Sequence, residues 1–184
     1  MISKKLPTTL MIVACLGLAA CSDKSPEPAP GPTQPAPDAA PAVATPTDVQ
    51  AALGPWTGDF SEAVKIELCA LDSINGAVAI DGRFEAPANQ PAVFEGWAST
   101  PNLEPAKTFT LVLDGQSDFA VTGSTGIPRE DVAKAYSKPA LANAGFRVEV
   151  PALALPAGDY GITLVYEDNG QPVACSARLT LTAR

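Results

Sequence analysis

The sequence of 184 residues contains no histidine. That absence excludes Ser-His-Asp and Cys-His catalysis, histidine-ligated zinc and imidazole-based pH switching. Positive charge is also scarce, with 12 Lys plus Arg against 20 Asp plus Glu. Nucleic acid and anionic head groups are both gripped through basic patches, so no nucleic-acid partner is expected. Aromatic residues make up only 6% of the chain, which leaves few for ligand platforms once a core is filled. No Cys-x-x-Cys pair is present to lower a thiol pKa, which argues against a redox centre. No EF-hand spacing surrounds Asp72 or Glu167-Asp168, which are weak calcium candidates on their own. No metal or cofactor is expected.

What is present begins with Lys4 and Lys5, followed by the apolar run Leu10-Met-Ile-Val-Ala-Cys-Leu-Gly-Leu-Ala-Ala20. Eleven residues fall short of the roughly 20 that a membrane-spanning helix needs, but they suit a secretory signal. The run ends in Leu18-Ala19-Ala20-Cys21, which resembles the lipobox of bacterial lipoprotein signals. The resemblance implies cleavage before Cys21, small residues admitting the peptidase, and a cysteine sulfur that accepts diacylglycerol. Cys15 after Ile12-Val13-Ala14 is a weaker alternative acylation site, because it leaves a barely sufficient apolar run. Two or more acyl chains anchor stably where a single one does not, so a lipid bilayer is an expected partner. By the same resemblance, Ser22 at the second position favours the outer membrane facing the periplasm, a preference that Asp23 blurs in some bacteria.

Residues 22–48 read SDKSPEPAPGPTQPAPDAAPAVATPTD, with eight prolines, six alanines and no aromatic. Such a composition buries too little apolar area to offset its ordering entropy, so a disordered spacer is expected. As polyproline II at about 3.1 Å per residue it reaches at most roughly 80 Å. Thr47-Asp-Val-Gln50 has capping-box spacing ahead of Ala51-Ala-Leu53, which predicts a helical turn or two closing the tether. The division expected is a signal over 1–20, a lipidated cysteine plus linker over 21–57, and a β domain over 58–184.

From Gly58 onward apolar residues alternate with period two. The runs are Val64, Ile66 and Leu68; Val78, Ile80 and Phe84; Val93, Phe94 and Trp97; and Phe109, Leu111 and Leu113 before Asp114-Gly115. Phe119 and Val121 follow, then Phe146, Val148 and Val150, then Tyr160, Ile162, Leu164 and Tyr166. Last come Val173, Cys175, Ala177, Leu179 and Leu181. Glu167-Asp-Asn-Gly170 is a hairpin signal, since Asn-Gly tolerates positive φ at both central positions. About eight short strands predict an all-β, two-sheet antiparallel sandwich, with a small barrel as the alternative. One helix is expected over Pro128–Tyr136, with proline in its first turn and Glu130 and Asp131 at its positive end. Val132, Ala135 and Tyr136 share a face able to cover a sheet edge. Pro139–Gly145 is expected to add another turn.

Cys15 leaves with the signal and Cys21 with lipidation, so Cys69 and Cys175 remain. In an exported chain an even pair reads most simply as a disulfide, two separate buried thiols being the alternative. Such a bond closes a loop of 106 residues.

Beyond the signal, Cys69-Ala-Leu-Asp-Ser-Ile-Asn-Gly76, Glu95-Gly-Trp97-Ala, Arg129-x-Asp131-Val-Ala-x-Ala135, Ala144-Gly-Phe146 and Leu155-Pro-Ala-Gly-Asp-Tyr160 appear in that order. This is similar to an immunoglobulin-like module of bacterial envelope proteins, covering about residues 63–182. The resemblance implies an architecture and no defined activity. Trp97 and Tyr160 read as core, and Gly96 and Gly145 as points of close backbone approach or bulges. Arg129 and Asp131 are candidates for bracing a loop or contacting a ligand. Two positions apart at a helix start they point differently, so Asp131 is expected to cap backbone amides and Arg129 to hold a carbonyl.

Together these features suggest a non-enzymatic envelope lipoprotein that binds another envelope protein or supports an assembly. Glycan binding is the alternative, with Trp56, Trp97 and Tyr136 as its platform candidates. A small hydrolase built on paired carboxylates is a lesser one.

Overall fold

The computed structural model describes residues 52–184. The signal, Cys15, Cys21 and residues 22–51 of the tether lie outside them. The described chain is mostly β-strand with one short α-helix. Its strands are β1 (Gly54–Pro55), β2 (Val64–Ile66), β3 (Cys69–Ile74), β4 (Arg83–Ala86), β5 (Ala92–Ala98), β6 (Thr108–Asp114) and β7 (Phe119–Ile127). Then come helix α1 (Glu130–Ala135), a 3-10 turn (Pro139–Asn143), β8 (Gly145–Val150), β9 (Gly158–Asp168) and β10 (Gln171–Ala183). The predicted helix and the turn after it are therefore present. Ala52 and Leu53, by contrast, are not helical, and the next two residues pair with β7 instead.

The strands form one curled sheet in the order β2-β10-β9-β6-β7-β8-β5-β3, with β1 added to β7 and β4 to β10. Strand β7 makes the curl. Its residues up to Ser124 pair with β6, and Thr125 and Ile127 pair with β8, across an irregularity where Gly126 has φ +147°. The alternating residues of both halves meet inside. Phe94, Phe109, Phe146, Leu111, Leu113, Ile162, Leu164 and Leu181 are fully buried, and the Phe109 and Phe146 rings lie 4.8 Å apart. The β9–β10 hairpin closes through Asn169 and Gly170, both at positive φ, as the Asn-Gly pair predicts.

Two expectations fail here. Val78 and Ile80 are 71% and 75% exposed rather than part of a core strand. They lie between two tight reversals, Asn75-Gly76 and Asp81-Gly82, all four residues at positive φ. The alternating pattern is real, but four residues between two turns find no strand to pair with. The pairing is also not wholly antiparallel, because β2 and β4 both run parallel to β10. The same turns explain this. β3 continues the direction of β2, and two reversals in succession restore that direction for β4.

Bulges decide which residues reach the core. In β3, Leu71 pairs with Gly96 and Ser73 with Glu95, which leaves Asp72 as one extra residue. An odd insertion flips the facing, so Leu71 and Ile74 are both buried although three apart. In β10 the register moves from Ser176–Thr163 to Thr180–Gly161, four residues against two. This even insertion preserves the facing, and Leu181 and Ala183 stay inside with Val173 and Cys175.

The Cys69–Cys175 disulfide is present, its Cα atoms 6.2 Å apart. β3 ends the strand order on one side and β10 lies one strand from the other end, so the bond staples the curl shut. For a loop of 106 residues the chain-entropy account assigns about 4–5 kcal/mol.

Residues 56–63 complete the fold as a strap. They run from β1 on the β7 edge to β2 on the β10 edge, with the Trp56 amide donating to the Asp118 carbonyl at 2.8 Å. Val112, Thr163 and Ala174 alternate with core residues and so face outward, yet all three are buried, and Phe60 of the strap shares a pocket with Thr163 and Ala174. None belongs to the main core cluster.

Candidate functional site

The β3 bulge, the end of β7 and the start of α1 converge on Arg129. Its backbone is extended rather than helical, with φ −141° and ψ 64°, and its amide donates to the Ala142 carbonyl at 2.7 Å. The side chain crosses Gly145, where an added Cβ would sit 2.8 Å from the Arg129 Cγ and 2.6 Å from the Ile127 carbonyl oxygen. This is the close approach that a glycine there predicts.

The guanidinium is held by two carboxylates. Nε and Nη2 donate to Oδ1 and Oδ2 of Asp131 at 2.8 and 2.7 Å, and Nη1 donates to Oδ2 of Asp72 at 2.6 Å. The expected division of labour is thus corrected. Arg129 and Asp131 form a two-pronged pair with each other, and the Arg129 side chain, at the N-cap, makes no capping hydrogen bond. The spacing rule for helices does not apply, because Arg129 precedes the helical backbone. Three of the five guanidinium N–H donors are committed to carboxylates. The Arg129 hydrogen bonds hold the Asp131 carboxyl down at about 2, and the two carboxylates raise the Arg129 pKa. A cation already facing two anions is poorly suited to attract a third, so the chemistry is that of a clamp joining α1 to β3.

Trp97 and Tyr136 lie on the same side. Trp97 is 8% exposed and packs beneath α1 against Val132, Ala133, Leu141 and Ala144 in a second small core. The Tyr136 ring lies 5.4 Å from it and is 38% exposed. The four candidates Arg129, Asp131, Trp97 and Tyr136 are therefore brought together around α1, with one exposed ring among them. Trp56 is half-buried in the strap, stacked on Phe60 at 5.5 Å.

Sequence reasoning missed two groups. Asp72 drew notice only as a calcium candidate, and its bulge is invisible without the partner strand. A polar row also crosses β3, β5 and β8: Ser73 Oγ donates to Glu95 at 2.9 Å, and Arg147 donates to Glu95 at 2.5 Å and to Glu149 at 2.8 Å. Glu95, Arg147 and Glu149 alternate with core positions, so they were legible as outward residues but not as partners.

A separate open groove of about 830 Å³ runs between Thr100–Thr110 and Val165–Asn169, with Glu104, Glu167 and Asp168 on its walls. The Tyr166 hydroxyl in it is spent on the Ser99 carbonyl at 2.6 Å, and burial raises its pKa. Among the described residues no three His, Cys, Asp or Glu side chains are grouped to hold a metal ion. No family model, curated protein or solved structure matches the chain.

Proposed function

We propose that this chain is a lipid-anchored protein of the bacterial cell envelope. On this reading it is cleaved before Cys21 and carries a non-enzymatic binding or structural module on a proline-rich spacer. The observation that carries the reading is the Cys69–Cys175 bond. Disulfides of this structural kind persist in oxidising compartments, and the lipobox-like Leu18-Ala19-Ala20-Cys21 supplies a route to one.

The finer architecture proposed is an immunoglobulin-like sandwich. The partial orders β10-β9-β6-β7 and β7-β8-β5-β3 correspond to the two layers of that fold, β7 serving both. Tyr160, near the start of β9, donates its hydroxyl to the Pro156 carbonyl four residues upstream at 2.9 Å, as in the tyrosine corner of such domains. The disulfide departs from the antibody pattern, since it joins the third and the last strand in sequence. A protein or structural partner is preferred over a glycan, because Trp97 is withdrawn under α1 and Tyr136 offers a single ring.

The test is metabolic labelling with palmitate in cells expressing the chain. Label is expected in the unaltered chain and in Cys15→Ala, and none in Cys21→Ala. Label surviving in Cys21→Ala, or absent from the unaltered chain, overturns the assignment.

A further inference from the structure

The strap over residues 56–63 does not fill the space beneath it. A cavity of about 340 Å³ remains, lined by Phe60, Lys65, Ile66, Glu67, Thr163, Ala174 and Ser176, with the Glu67 carboxylate held by Arg178. That volume is at the small end of small-molecule sites. Its walls are of mixed kind. Phe60, Ile66 and Ala174 give apolar surface, and Thr163 and Ser176 place hydroxyls at its floor.

Two groups there have hydrogen-bonding capacity to spare, one buried and one exposed. Thr163 is 9% exposed, yet among the described residues its hydroxyl makes no hydrogen bond within the protein. Among the described residues no fully buried side-chain N or O goes unpartnered, so this oxygen opens on the cavity. Lys65 is the second. Its ammonium lies 4.6 Å from the Phe60 ring centre and donates to the Phe60 carbonyl, and among the described residues it makes no ion pair. An ammonium has three donors, so two remain. The acids of this corner hydrogen-bond elsewhere: Asp59 accepts from the amide and hydroxyl of Ser61, which lower its pKa with help through space from nearby Lys65, and Glu67 is paired with Arg178.

We propose that the cavity between the Phe60 strap and the outer face of β9–β10 is a binding site for a short-chain amphiphilic carboxylate. Its alkyl group occupies the space beside Phe60, Ile66 and Ala174. Its carboxylate accepts from Lys65, and the Thr163 hydroxyl donates to it. An apolar recess with a few convergent polar groups is the usual form of such sites. A cation with two donors left at the mouth selects an acid over an amine. This site is independent of the envelope reading and of the Arg129 clamp.

The experiment titrates octanoate, octanol and octylamine into the full chain carrying Cys21→Ser, followed by tryptophan fluorescence, with Trp56 stacked on Phe60 as the reporter near the cavity. Octanoate is expected to give a saturable change, with octylamine at least about tenfold weaker. Ala174→Leu, which fills the cavity, weakens octanoate by about tenfold or more while the thermal midpoint holds or rises. Lys65→Met weakens octanoate about tenfold and leaves octanol unchanged. Thr163→Val conserves shape and weakens octanoate about threefold, which decides the matter should Ala174→Leu fail to fold. No saturable response to octanoate, or equal affinity in Ala174→Leu and Thr163→Val, overturns the site. Equal affinity for octylamine overturns its assignment to a carboxylate.

Discussion

Single side chains here act through what their backbone lets them reach. Arg129 meets two carboxylates because its own residue is extended and the β3 bulge turns Asp72 outward. Both carboxylates are well exposed, so solvent discounts the pairs, and Arg129→Ala should cost about 1–2 kcal/mol in urea unfolding. The Asp131 carboxyl has a folded-state pKa near 2, below its ordinary 3.8. A depressed carboxylate contributes stability above the unfolded value and loses it as pH falls through the folded one. The Asp131 contribution is therefore whole above about pH 4 and fades toward pH 2. An NMR titration should place its midpoint near 2 and show it rising to the ordinary range in Arg129→Ala. Gly96 is a sharper case, since an added Cβ would lie 2.1 Å from the Ala70 carbonyl oxygen and 2.8 Å from Phe146. Gly96→Ala should cost about 3 kcal/mol or more by forcing β3 from β5. Gly96 and Gly145 were legible as close approaches because glycine in a strand has few other uses. The Asp72 contact was not, because it joins residues 57 apart.

Elements were read well where alternation ran long and poorly where turns came close together. The runs of β6, β8 and β9 each bury their predicted residues, because five or more alternating positions outweigh local accidents. Val78 and Ile80 carry the same pattern over too short a span, and two turns isolate them. Val78→Thr and Ile80→Thr should each shift stability by no more than about 0.5 kcal/mol, checked by thermal midpoint. The same changes at Phe84 would not be tolerated, since it is 3% exposed. The β10 bulge gives a parity test. Deleting Arg178 alone leaves an odd insertion, turns Leu181 and Ala183 to solvent, and should cost about 3 kcal/mol or more. Deleting Ala177 and Arg178 together restores the even count and should cost less. Urea midpoints of the two deletions decide the order. Bulges are the part of the fold that one sequence hides, because extra residues are extra only relative to a partner strand.

At the scale of the whole molecule the disulfide was legible from cysteine arithmetic, whereas the curl it closes was not. The end-to-end strand order depends on β7 dividing its pairing between β6 and β8, and nothing in Phe119–Ile127 announces that division beyond Gly126. Reduction should lower stability by up to about 4–5 kcal/mol and the thermal midpoint by roughly 10 °C or more. Scanning with and without reductant measures this, and the unfolded, unreduced domain should show no free thiol at Cys69 or Cys175.

The staple also fixes how the domain answers a pull. Tension entering at Leu53 meets two residues of β1, then a strap whose one backbone–backbone bond to the rest of the described residues is Trp56 to Asp118, then three residues of β2. These can peel away one after another until Cys69, where a covalent bond to β10 takes the load. About 16 residues are released by then, an extension of roughly 50 Å, while β5 to β10 stay folded behind the bond. The domain has a built-in shock absorber at its N-terminal end.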